Sequence, residues 1–467
     1  MQYTHSIQKF ITIVSVLNVL LFNSSAFAFD PLHTEAGIEM GPLDRPQDAT
    51  YCDRNKINHS LSLADVVDLT LCNNPQTRSL WAAARVQAAQ VGVSTSAYLP
   101  SLSAQANVSQ NFPVTGSQSQ NSYTSKSASL SATYLLYDFG GRAATLETAR
   151  QLLIAANASR NATLQAAYLG AVQAYYDLQS ATASVKAFVA AEASAKESLA
   201  AAEARYRAGV ATPVDKLQAQ TNLSQTNYNR INAEGNELKL RGSLATMMGF
   251  DALQPYVLED ISDSSPDQVA EQDIGKLIEQ ARKNRPDLQA ADAQIKAAEA
   301  QLEAVNAGGR PTLTLGAIAA YNDSSFQPNA QNNSIGVTLS VPLFSGFRTH
   351  YQGRVAQAQL DGKVADRDKL ANQVALDVWN AYQSMITNSS ALRSADDLLT
   401  VATQSEKMIL GRYKAGVGNI LDTLSAQSAL ANARQQRATA LYHFLTSRFA
   451  LAQAMGQLDL TLTANRN

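Results

Sequence analysis

Two glycine-rich stretches, YDFGGR at 137–142 and LFSGFR at 343–348, are the first candidates for chemistry, because glycine loops can cradle phosphates. Neither carries the lysine–serine pair of a phosphate loop or the G-x-G-x-x-G spacing of a dinucleotide site. Glycine also lets a chain bend sharply, and a strand-to-helix corner is the reading adopted for both. His33, His59, His350 and His443 are scattered without the spacing of a zinc site. No nucleophile–base pair stands out. The expectation is a protein that is not an enzyme and needs neither metal nor cofactor. Cys52 and Cys72, the chain's two cysteines, could pair in an oxidising compartment and staple the N-terminal segment to the first helix; two unpaired thiols are the alternative.

The elements around these residues begin after an export signal. Lys9 precedes an apolar run from Phe10 to Phe22, and Ala26 and Ala28 stand at the −3 and −1 positions of a cleavage site, so 1–28 reads as a signal peptide. The run is too short to serve as a membrane anchor. The mature chain offers no apolar run of about 18 residues for a transmembrane helix. A formal net charge of −2 gives no pull toward nucleic acid. The exported protein is therefore either soluble or inserted as a β-barrel.

Internal repetition organises the 467 residues. RYRAGVATPVDKLQAQ at 205–220 returns as RYKAGVGNILDTLSAQ at 412–427. NNPQTRS near 73 returns as KNRPDLQ, YLPSLSAQ at 98 as GRPTLTLG at 309, and Met248-Gly249 as Met455-Gly456. The domain reading is an extended N-terminal segment at 29–60, a first repeat at 61–250, an acidic linker at 251–275, a second repeat at 276–457 and a tail at 458–467. Each repeat predicts a short helix, two strands, one very long helix and a returning helix.

Alternation of period two predicts strands at 98–112, 124–138, 310–322 and 332–345. Ala128, Leu130, Ala132, Tyr134 and Leu136 fall on one face, with Ser127, Ser129, Ser131 and Thr133 on the other. Each core segment has about the length of a membrane-crossing strand, with aromatic residues near its ends. Four strands cannot close a spanning barrel, and an open edge cannot face lipid. The strands therefore belong either to a soluble sandwich or to a barrel shared among chains.

Long helices are predicted at 141–208 and 347–415 from Ala, Leu, Gln, Glu and Lys with narrow apolar seams. At 1.5 Å per residue each spans roughly 100 Å. Returning helices are predicted at 212–249 and 419–456. Gly209 and Gly416 can terminate the long helices, and Thr212, Pro213 and Asn419 can start the next ones. The duplicated motif is thus the hairpin tip of two coiled coils.

With its R-Y-x-x-G-x-x-x-x-x-D tips, NP helix start, YLPSL strand start and LYDFGGR strand exit, the chain resembles the TolC family of outer-membrane channel proteins over about 60–457. The resemblance implies an α+β membrane fold: a homotrimer whose three chains give four strands each to a 12-stranded barrel in the outer-membrane lipid of a Gram-negative bacterium. It also implies a coiled-coil helical barrel reaching across the periplasm to a periplasmic adaptor and an inner-membrane pump or ABC transporter. A passive efflux conduit is the function implied. The outer component of type I protein secretion is the alternative, and an exported coiled-coil structural or adhesin protein a remote one.

By the same resemblance, Asp215 and Tyr413 fall where a hydrogen bond links neighbouring coiled coils as a gate. Asp422 falls on an aspartate ring at the pore constriction, with Ser425 where a second acidic residue is common. Gly418 stands where the family carries a tip arginine. Gly209, Val210, Ala211, Gly416, Val417 and Gly418 would be the adaptor-docking tip.

Overall fold

A computed structural model describes residues 30–44, 59–112, 114–115, 118–119, 122–259, 273–325 and 328–459. The signal segment, Cys52, most of the 251–275 linker and the tail beyond Asp459 lie outside the described residues. After a 3-10 turn at Thr34–Gly37 come β1 (Ser60–Leu61), α1 (Leu63–Asn73), α2 (Pro75–Ser96), β2 (Ser101–Asn111), β3 (Val114–Thr115), β4 (Gln118–Ser119) and β5 (Tyr123–Tyr137). The first repeat closes with α3 (Gly141–Arg207) and α4 (Pro213–Met247). Then follow β6 (Val257–Leu258), α5 (Ile274–Asn284), α6 (Pro286–Ala307), β7 (Thr312–Ser324), β8 (Ala330–Ser340), α7 (Arg348–Lys414) and α8 (Ile420–Ala454).

The duplication is exact in length for the rods: α3 and α7 have 67 residues each, and α4 and α8 have 35 each. The single short helix expected in each repeat is in fact two. Proline at the first helical position of α2 and of α6 permits a new helix to start but holds the preceding Asn74 and Arg285 in extended conformation. Asn74 turns this break into a contact, its side-chain amide donating to the Met247 carbonyl at the end of α4 over 3.1 Å.

β2, β5, β7 and β8 form one antiparallel sheet in that order. The register aligns the apolar alternation across all four: Leu102 faces Ala132, Ala132 faces Ala317, and Ala317 faces Ile335. The opposite face is polar, with Ser103 and Ser131 hydroxyls 2.7 Å apart. Leu102, Leu130, Ile335, Val337 and Leu339 are all more than half exposed. Lys126 and Asp323, paired across β5 and β7, close the apolar band at one end. Tyr137, Phe344 and Phe347, all exposed, close it at the other. β2 and β8 are the edge strands, and the outer edge of each has no partner among the described residues. β8 stops at Ser340 rather than running to 345, because Pro342 lacks the N–H that a ladder needs.

The corner from strand to long helix uses more than glycine. Phe139 (φ 53°) sits beside Gly140, and Phe347 (φ 65°) beside Gly346, all in the left-handed region. A phenylalanine there costs on the order of 1–2 kcal/mol, so both repeats tolerate strain at the junction of sheet and rod.

The main core lies midway along the rods, where α1 and α5 pack on them. Tyr168, Val172 and Tyr176 of α3 meet Leu69 of α1, Leu244 of α4, Val374 and Val378 of α7, and Phe444 and Phe449 of α8. β1 pairs with β6 in parallel, which ties the beginning of the first repeat to the beginning of the linker. Cys72, 9% exposed in α1, is disulfide-bonded, and Cys52 is the chain's other cysteine. Among the described residues no helix is long and apolar enough to cross a membrane.

Candidate functional site at the helical tips

Each long helix ends in the same hydrogen-bonded cap. Val210 N–H donates to Arg205 O and Gly209 N–H to Tyr206 O, each at 3.0 Å. Val417 and Gly416 repeat this onto Arg412 and Tyr413 at 3.1 and 3.0 Å. The geometry requires a left-handed residue, supplied by Gly209 (φ 73°) and Gly416 (φ 85°). The turns leave Val210 and Val417 exposed at the extreme ends of the rods. Ala211 is half-buried and Gly418 likewise.

The two tips then diverge. In the first, Thr212 and Asp215 form a reciprocal capping box: Asp215 Oδ2 accepts from the Thr212 N–H at 2.9 Å, and Thr212 Oγ1 accepts from the Asp215 N–H at 3.3 Å. In the second, Asn419 caps α8 alone, accepting from the Leu421 N–H at 3.1 Å. Asp422 is therefore not drawn into a cap. It is exposed in the first turn of α8, and Ser425 is exposed three residues on, along the same helix face.

The hydrogen bond expected between Asp215 and Tyr413 is absent from this chain. The Asp215 carboxylate is engaged at its own helix start, and the Tyr413 hydroxyl is buried with no hydrogen-bond partner. Tyr413 as a whole is 3% exposed. Burial pushes its phenol pKa up, opposed by the Arg205 guanidinium and reinforced by the Asp215 carboxylate. A cap motif of Thr followed three residues later by an acid was the sequence signal for the role Asp215 takes here.

The residue that does join the tips is Arg205. Its Nη1 donates to the Tyr413 carbonyl at 2.8 Å, and its guanidinium lies 4.8 Å from the Tyr413 ring centroid. Higher up, Gln427 of α8 donates to Ser198 Oγ of α3 at 2.9 Å, and Lys414 pairs with Glu197. Gly418 packs so closely that a Cβ there would meet Tyr413 N at 2.8 Å. A side chain such as the arginine that the family resemblance places at this position would not fit without a shift of the Tyr413 backbone.

A sheet with an exposed apolar face and two open edges, joined to two helical hairpins whose longer arms run about 100 Å, is the architecture of an outer-membrane channel protein. The chain belongs to the outer membrane efflux protein family, whose model matches residues 66–250 and 277–457. It is 30% identical over 405 residues to protein CyaE of Bordetella pertussis, covering 85% of this chain and 84% of that one. It is 26% identical over 408 residues to outer membrane protein TolC of Vibrio cholerae, covering 85% and 91%. The fold is shared with the CmeC outer membrane channel of Campylobacter jejuni, at TM-score 0.75 and 17% identity over 90% of this chain and 91% of that one. It is likewise shared with the MtrE outer membrane channel of Neisseria gonorrhoeae, at TM-score 0.72 and 20% identity over 85% and 89%. The protein is accordingly an outer-membrane channel of a Gram-negative bacterium.

Proposed function

We propose that three copies of this chain close a 12-stranded barrel and a continuous helical duct, forming the passive outer conduit of a tripartite efflux system without enzymatic activity. The supporting observation is the open sheet: edge strands β2 and β8 carry unpaired backbone groups that lipid cannot satisfy. Pairing β2 of one copy with β8 of the next satisfies both. The tips at Gly209–Ala211 and Gly416–Gly418 face away from the sheet and offer the docking surface for a periplasmic adaptor, which connects the duct to an inner-membrane pump. Small molecules delivered by that pump are the cargo.

The assembly is tested by cross-linking. Ala104→Cys in β2 combined in turn with Ile335→Cys, Val337→Cys or Leu339→Cys in β8 is expected to give disulfide-linked dimers and trimers in outer membranes for at least one combination. Monomers throughout would refute the shared barrel.

The tip is the gate in this reading, and the Asp422 carboxylates, with Ser425 behind them, ring its narrowest bore. A carboxylate ring facing a narrow channel attracts cations. Asp422→Asn is expected to weaken block by multivalent cations in planar-bilayer recordings, with block persisting undiminished as the contrary result.

A further inference from the structure

We infer that the closed tip of this channel is latched through the Tyr413 main chain and ring by Arg205, not through the Tyr413 hydroxyl; the inference rests on the gate reading above. The residues are α3's last turn on one side and α7's last turn on the other, so the contact joins the two hairpins of one chain. Arg205 makes both of its contacts with one residue, a 2.8 Å bond to the carbonyl and a stack 4.8 Å from the ring. A guanidinium bound to a carbonyl is a charge-assisted hydrogen bond, and the stack adds cation–π attraction. Tyr413 is held in place for this grip. It packs with Ala202, Ala219 and Ile420 in a small buried cluster at the tip, and its backbone lies under Gly418.

The alternative bond is not made in this chain. The Tyr413 hydroxyl has no partner, and Asp215 Oδ2 is taken by the Thr212 N–H. Asp215 is committed to the start of α4 through Oδ2, whereas Arg205 has no competing partner among the described residues. Arg205 is thus a positioning residue for the closed state. It holds α7, and with it the start of α8 that carries Asp422, against the first hairpin.

Single-channel recording in planar bilayers tests this with the full chain. Arg205→Met is expected to raise the open-to-closed ratio by about tenfold, the loss of the charge-assisted bond and the stack together; Tyr413→Leu keeps the main-chain carbonyl and loses the ring, and should raise it by roughly threefold. Tyr413→Phe, which keeps ring and carbonyl, should raise it much less, and Arg205→Lys, which can still reach the carbonyl, should fall between Arg205→Met and the parent. The oligomer's resistance to heat should stay unchanged in Arg205→Met, separating a latch from a general structural support. A companion variant, Glu197→Cys with Lys414→Cys, joined by a short bismaleimide, ties the same two hairpins covalently and should suppress opening.

If the tether suppresses opening but Arg205→Met does not promote it, or Tyr413→Phe opens the channel as much as Arg205→Met, the latch assignment is wrong and the gate stands. If neither tether nor Arg205→Met changes opening, the tip is not the gate and both readings fall.

Discussion

Leu130→Arg is expected to abolish the assembled channel. Leu130 lies near the centre of the apolar band in β5, directly between Ala104 of β2 and Ala319 of β7, and is 53% exposed in the single chain. A charged arginine on the lipid face near mid-membrane costs about 2–4 kcal/mol. Each copy in an assembly carries the penalty again, so the effect multiplies with the number of subunits. The neighbouring change Ser129→Arg supplies the comparison. Ser129 lies on the polar face, opposite Gln105 and Ala320, where a long polar side chain can reach water. Semi-native gels of outer membranes should show heat-resistant oligomer for Ser129→Arg and none for Leu130→Arg. Equal yields from the two would mean that the apolar face does not meet lipid.

The second large effect is expected along the first long helix, from Asp44→Ala. The segment from Asp30 to Asp44 runs along α3, and its anchor is an ion pair between Asp44 Oδ2 and Arg160 Nη2 at 2.6 Å, with both side chains 1% exposed. Arg160 also bonds the Glu39 carbonyl and stacks 4.5 Å from the Trp81 ring of α2. Asn157 donates to Gly37 O at 3.0 Å from one turn along α3. Removing the carboxylate strands a guanidinium away from water, at a cost of about 3–5 kcal/mol. Asp44→Ala should therefore release the segment to protease and lower the temperature at which the oligomer dissociates. Arg160 Nε and Nη1 and Asp44 Oδ1 find no partner even in the intact pair, so the pair is imperfectly satisfied. The double change Asp44→Leu with Arg160→Met should recover much of the loss. A protease pattern in Asp44→Ala indistinguishable from the parent would show that the segment is held by other contacts.

Much of the molecule is legible in the sequence because its signals are periodic or local. Alternation in β2, β5, β7 and β8 places the apolar face, and the repeated Gly209 and Gly416 place both turns. What escaped depends on contacts between distant residues with no period to announce them. Asp44 and Arg160 are 116 positions apart, and Arg205 and Tyr413 are 208 apart. The split of each short helix follows from Pro75 and Pro286, local signals that mark a boundary as readily as a beginning. Asp215 shows a different limit. An acid three residues after a threonine can cap a helix or reach across to a neighbour, and only the folded tip decides between them.

The unequal caps have a further consequence. A ring built from three such chains has six hairpin ends but only threefold order, because those bearing the Thr212–Asp215 box alternate with those bearing Asn419 and the close-packed Gly418. Any ligand protein seated on that ring meets two distinct kinds of groove in turn, so even six identical copies of it would be held in two unequal environments.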